Sequence, residues 1–183
     1  MASKIKVDQI QTADGSGTIA LQNQLSGMTS ASMPTGSVLQ VVQASMSNEI
    51  ATTTGSWNVR MGNGSNNFKL LITPSSTSSK ILLTATVEAE VQNKDNDDDL
   101  IGFDFYRNAT GLTETYNLSG ESQGFGLSGR LNRTPVSYSY LDSPSTVNEI
   151  TYDISFKRSS GTGNVYAGGN FNLTTIIAQE IAG

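Results

Sequence analysis

From Lys80 to Val91 apolar and polar positions alternate. Ile81, Leu83, Ala85, Val87, Ala89 and Val91 share one phase; Lys80, Thr84, Thr86, Glu88 and Glu90, with Leu82, share the other. Side chains of a strand point to opposite faces in turn, so this run predicts a long strand with one buried face. Ile150, Tyr152, Ile154 and Phe156 repeat the pattern, as do Ile101, Phe103 and Phe105, and Val136, Tyr138 and Tyr140. Val38–Ala44 and Phe68–Thr73 are apolar in both phases, which predicts strands covered on both sides by a second sheet or another subunit. Asn170–Ile181 predicts a last strand tied into the core.

Turn signals punctuate these runs: Thr73-Pro74-Ser75-Ser76, Asn108-Ala109-Thr110-Gly111, Asp142-Ser143-Pro144-Ser145 and Ser159-Ser160-Gly161-Thr162-Gly163. Their spacing fits antiparallel pairing and not βαβ units, and no amphipathic helix stands out. The expected fold is all-β: an antiparallel β-sandwich of jelly-roll type over residues 37–183.

The first 36 residues read differently. Ile5, Val7, Ile10, Ile19, Leu21 and Leu25 are arranged around Ala13-Asp14-Gly15-Ser16-Gly17, as in a small hairpin with a glycine-rich tip. An isolated hairpin is marginal in water and needs a surface to lie on. Residues 26–36, rich in Ser, Thr, Gly and Met, read as a linker. Arm, linker and domain make an attachment architecture, with Ile5, Val7, Ile10, Ile19 and Leu21 as the anchoring side chains. The other reading has the hairpin packed on its own domain.

Composition narrows the function. Charged residues are 15% of the 183, net charge is −5, and neither cysteine nor histidine occurs. Without a basic cluster there is no footprint for nucleic acid or an anionic membrane. Disulfides and Cys- or His-based nucleophile systems are excluded, as is a zinc site built on those ligands. The start of the sequence lacks an apolar leader region and no run is long enough for a helical membrane span, so synthesis in the cytoplasm is expected.

The remaining chemistry belongs to carboxylates. Glu88 and Glu90 share a strand face roughly 7 Å apart, within the range a glycosidase needs, and Asp104 or Asp153 could join them from a neighbouring strand. The plainer expectation is that they are solvated polar positions. Asp95-Asn96-Asp97-Asp98-Asp99 offers oxygen ligands for calcium, but Leu100 stands where an EF-hand needs glycine and Tyr106 where it needs glutamate; a solvated turn is the expectation. Trp57 is a candidate host-contact residue by stacking on sugar, against the commoner use of tryptophan at a core edge. No catalytic residue, cofactor or metal is expected.

Lys4-Ile5-Lys6-Val7-Asp8-Gln9-Ile10-Gln11-Thr12-Ala13-Asp14-Gly15 resembles the N-termini of structural and fibre-like virion proteins of marine tailed phages, cyanophages especially. Gly36-Ser37-Val38-Leu39-Gln40-Val41-Val42, Leu71-Ile72-Thr73-Pro74-Ser75-Ser76 and Gln179-Glu180-Ile181-Ala182 resemble the same group; residues 95–165 carry no such motif. The resemblance implies a non-enzymatic virion structural protein, commonly a homotrimer. It would be a surface knob, head fibre or capsid-decoration protein held to capsid or tail proteins by its arm. The alternatives are a short tail fibre that contacts host surface glycan or protein, and a carbohydrate-active tail enzyme.

Overall fold

The computed structural model describes residue 14 and residues 33–55, 59–62, 68–92, 100–112, 132–160, 163–169 and 173–183. The segment predicted as the arm, apart from residue 14 and the linker's last residues, therefore lies outside the described residues, with Ile5, Val7, Ile10, Ile19 and Leu21. There are eleven strands and no helix among the described residues: β1 Val38–Met46, β2 Ile50–Thr52, β3 Val59–Arg60, β4 Leu70–Ile72, β5 Lys80–Gln92, β6 Leu100–Arg107, β7 Thr110–Gly111, β8 Asn132–Asp142, β9 Ile150–Ser160, β10 Asn164–Ala167 and β11 Thr174–Ile181.

The alternation read in the sequence is the construction rule of the fold. Ile81, Leu83, Ala85, Val87 and Ala89 of β5 are buried against the other sheet, where Ile101, Phe103 and Phe105 of β6 and Ile150, Tyr152, Ile154 and Phe156 of β9 point inward. Val136 of β8 joins this core, and Tyr138 and Tyr140 pack on it. The Tyr138 ring lies 4.6 Å from that of Phe105 and 6.0 Å from that of Phe103, centroid to centroid. Such aromatic pairs add to area burial and fix how the two layers seat.

Pairing is antiparallel throughout. β5 carries β8 along one edge, from Ile81↔Asp142 to Val91↔Asn132. Its other edge is shared by β11, from Lys80↔Ile181 to Thr86↔Thr175, and then β10, from Ala89↔Ala167 to Gln92↔Asn164. β1 pairs with β11 and β2 with β10. In the second sheet β9 carries β6 on one edge and both β3 and β4 on the other, and β7 adds to β6.

Three strands are thus broken in two: β1 with β2, β3 with β4, and β10 with β11. Counting each as one run leaves eight in chain order. The sheets read first–eighth–third–sixth and second–seventh–fourth–fifth, which is the jelly-roll order of two interlocked Greek keys. The all-β sandwich expected from the pattern is therefore the fold observed.

Of the two covers expected over β1 and β4, the second sheet supplies one side: Val38, Val41 and Leu71 are 49%, 56% and 52% exposed. Their outward phase is apolar, and among the described residues no second layer of the same chain lies over those side chains. The expected last strand is observed over Thr174–Ile181, while 170–172 lie outside the described residues.

The break between β10 and β11 is a crowded place. Ala167 pairs with Ala89 and Thr175 with Thr86, so the chain has seven residues here where β5 has two, Val87 and Glu88. Gly168 has φ +80°, and its N–H donates to the Glu88 carbonyl at 2.9 Å. A Cβ on Gly168 would stand 2.2 Å from the Asn48 carbonyl oxygen, and one on Gly169 would stand 1.7 Å from Glu88 Oε2. Gly36 also has positive φ, +89°, with nothing within 4 Å of a Cβ. Gly168→Ala should therefore cost about 3 kcal/mol or more in urea denaturation, strain and clash together. Gly36→Ala should cost only the left-handed strain, about 1 kcal/mol. Equal losses at the two sites would remove the crowding argument.

Candidate functional site

The strand directions give the sandwich two ends. β1 starts and β11 finishes at one end, called proximal here, with the 73–79 connection, the 108–109 turn and the 143–149 connection. The ends of β5, β6, β8, β9 and β10 meet at the distal end, where Gln92 pairs with Asn164, Leu100 with Ser160 and Val91 with Asn132.

The chain enters the domain at the proximal end and is clasped there. Gly36 N–H donates to the Ala182 carbonyl at 2.8 Å, and Ala182 N–H donates to the Ser37 carbonyl at 2.8 Å. Beneath the clasp lies Glu180, fully buried and in the core-facing phase of β11 with Ile176 and Ala178. Its Oε1 accepts from Ser75 N–H, Ser75 Oγ and Ser79 Oγ, each at 2.7 Å; its Oε2 accepts from Gln40 Nε2 at 2.6 Å. Gln40 Nε2 also donates to the Thr73 carbonyl at 2.7 Å. One carboxylate therefore ties β1, β11 and the 73–79 connection together. Burial alone would raise its pKa, but the hydrogen bonds outweigh burial and hold it below the ordinary carboxylate value. Met33, Leu39, Ser75, Ser78 and Gly183 line a small cleft beside this clasp.

A second polar tie joins the two sheets at the same end. Arg107 of β6 donates from Nη1 to both Asp142 oxygens at 2.9 Å, and Tyr152 of β9 donates its hydroxyl to Asp142 Oδ2 at 2.5 Å. Asp142 ends β8, so the tie crosses from sheet to sheet. Burial, then the hydrogen bond to Asp142, pushes the Tyr152 hydroxyl far above its ordinary pKa, and it remains a donor. The adjoining turn has Asn108 and Ala109 at φ 49° and 72°, the paired positive values of a tight hairpin turn. Asn108 N–H donates to the Thr151 carbonyl at 2.9 Å, and Asn108 Oδ1 accepts from Thr151 N–H at 3.0 Å.

The four carboxylates considered for sugar cleavage do not converge. Glu88 and Glu90 belong to the outward phase of β5, and Asp104 and Asp153 to the outward phases of β6 and β9. The pairs therefore stand on opposite outer faces of the sandwich. All four are buried, at 3% exposure or less, which corrects the expectation that they are solvated. Glu88 is sealed by the Gly168-Gly169 backbone. Asp153 is bound by Arg60 through both carboxylate oxygens, and the Arg60 guanidinium lies 5.2 Å from the Tyr106 ring centroid. Burial raises the Asp153 pKa, with Arg60 and then Lys69 opposing it. No group of three acidic side chains among the described residues could hold a metal ion. Trp57 and the acidic run at 95–99 lie outside the described residues.

No family model matches the sequence, and no curated protein matches it. Fourteen chains match among solved structures. One is dimeric latent PorU from Porphyromonas gingivalis, at 13% identity and a TM-score of 0.29, over 85% of this chain. The chain spans 14% of that protein's length.

Val38, Val41, Leu71, Leu141 and Val147, five of the six large apolar side chains that are exposed among the described residues, belong to strand ends and a connection on the proximal side. Stability of this end should depend on pH through Glu180. Its folded pKa is below the unfolded one, so its contribution is complete above the ordinary value of 4.5 and is lost as pH falls through the folded value. Asp153 has the opposite sign, since a raised pKa favours the folded state as pH falls. Urea denaturation of wild type and Glu180→Gln between about pH 7 and about pH 3 separates them. The variant should be less stable at the upper value and lose less on acidification; parallel curves would show that Glu180 does not carry the effect.

Proposed function

We propose that this protein is a non-enzymatic structural component of a phage particle, a surface knob or decoration held by its N-terminal segment. The observation that supports the reading is the position of the arm's root. Met33–Gly36 enters at the proximal end, locked to Ala182, while the strand ends that flank 93–99, 161–162 and the end of 113–131 stand at the opposite end. A segment anchored through the root would leave the distal end directed away from the particle. The exposed apolar side chains gather on the anchored side, where a contact would cover them. The N-terminal motif supplies the word phage by resemblance.

The same arrangement favours a second reading, in which the distal connections contact a host surface glycan or protein. Those connections fall in the part of the sequence that carries no recognised motif.

Deleting residues 2–25 should abolish incorporation into particles, scored by immunoblot of purified virions, while the thermal transition of the domain is kept. Normal decoration by the truncated chain would overturn the anchoring role. Free protein that blocks adsorption of phage to cells would favour the host-contact reading over decoration alone.

A further inference from the structure

The two long edge strands of the first sheet, β1 and β8, are not alike. Ala182 exchanges backbone bonds with Gly36 and Ser37, and the Glu88 carbonyl accepts from Gly168 N–H. Bonded pairs recur at every second residue of an antiparallel ladder. β11 therefore turns its even-numbered residues to β1, and β5 turns its odd-numbered residues to β8. Among the described residues, the backbone groups left over point out of the sheet. On β1 they are the N–H and C=O of Val41, Gln43 and Ser45; on β8 they belong to Pro135, Ser137, Ser139 and Leu141.

A free edge is a template for another extended chain, and proteins guard it with proline, charge or a bulge. β8 has such a guard, because Pro135 stands where an N–H would face outward and has none to offer. β1 has neither proline nor charge, and its irregularity between Val38 and Gln40 lies before the open stretch. Along that stretch Val42 and Ala44 are only partly buried against the core, and Val41 is exposed. β2, β3, β4 and β7 have two or three residues each, too few for such a template.

We infer that an extended segment of another protein of the particle adds to the free edge of β1 as one more strand. This rests on the virion reading and deepens it, by naming what the anchored side receives. The backbone groups of Val41, Gln43 and Ser45 repeat about every 7 Å, a spacing that a β-strand matches. The segment is uncharged, because nothing on the edge pairs a charge, and apolar in the phase that covers Val42 and Ala44. Two other sources fit less well. The chain's own approach lies on the far side of β1: Met33 shares its cleft with Ala182, Gly183 and Ser78, on the β11 side. A second copy paired edge to edge about a two-fold axis would run antiparallel and send the two arm roots to opposite ends. The open stretch begins just past the arm root, so a surface that holds the root lies within its reach.

Two measurements on the full-length chain test this. In the purified protein, hydrogen exchange followed by NMR should find the Val41, Gln43 and Ser45 amides open, and those of Val42 and Ala44 slower by about 100-fold or more. Protection of the outward three at every dilution would assign the edge to the chain's own segment. Protection that grows with concentration would assign it to a second copy. Either result overturns the inference. In particles, Gln43→Pro should lower incorporation about 10-fold or more, scored by immunoblot of purified virions, since it removes an N–H that β11 does not use. Ser139→Pro, the same change on the edge of β8, should be incorporated like wild type. Thermal melting is the folding control. Should Gln43→Pro not fold, Val41→Lys/Gln43→Lys serves, with a loss in the same direction. A folded β1 variant that decorates normally, or an equal loss with Ser139→Pro, would overturn the inference and leave the virion reading standing. Wild type absent from particles would end that reading, and the inference with it.

Discussion

Everything in this fold hangs on the register of β5. It is the longest strand, and both its edges are occupied, by β8 on one side and by β11 and β10 in tandem on the other. Its alternation is nearly free of exceptions, so the burial of Ile81, Leu83, Ala85, Val87 and Ala89 fixes the facing of three neighbours at once. A slip of one residue would turn Lys80, Glu88 and Glu90 into the core and the aliphatic set out of it. Placing these charges in an apolar core, away from their present partners, costs far more than any local turn, which is why loops and breaks adapt to β5 and not the reverse.

The breaks show this adaptation. Gly168 and Gly169 lead the chain away from β5, with Gly169 against Glu88, and β11 pairs with β5 again in the same phase. The excursion between β3 and β4 is closed by Phe68 N–H donating to the Met61 carbonyl, and both side chains are buried in the core. Each break keeps the two-residue phase of its sheet while lengthening the chain. The eight-run jelly roll survives as eleven strands for that reason.

This also marks what was legible beforehand. The long strands and their buried phases could be read, because one buried face writes a period of two into the sequence. The breaks could not: Ser47-Asn48-Glu49 and Gly168-Gly169 are residues that ordinary loops share, and nothing in them says that the same strand position resumes beyond. Two charged groups carry a legible signal: Glu180 follows Ile176 and Ala178 in phase, and Asp142 follows Tyr138 and Tyr140. A carboxylate in the apolar phase of an alternating strand must find partners, so both positions announce a buried polar tie. Glu88 and Glu90 gave no such warning. They occupy the polar phase, and only the excursion at Gly168-Gly169, distant in sequence, closes over Glu88.

The two polar ties bear on function through one direction, the strand axis. Glu180 and Asp142 both lie at the proximal end, each gathering donors from separate elements, so the end that receives the N-terminal segment is cross-braced. Force applied through residues 33–36 would reach β1, β11 and the 73–79 connection through Gln40, Glu180 and Ser75, and would spread between sheets through Arg107, Asp142 and Tyr152. Bracing of this kind suits a domain held at one end.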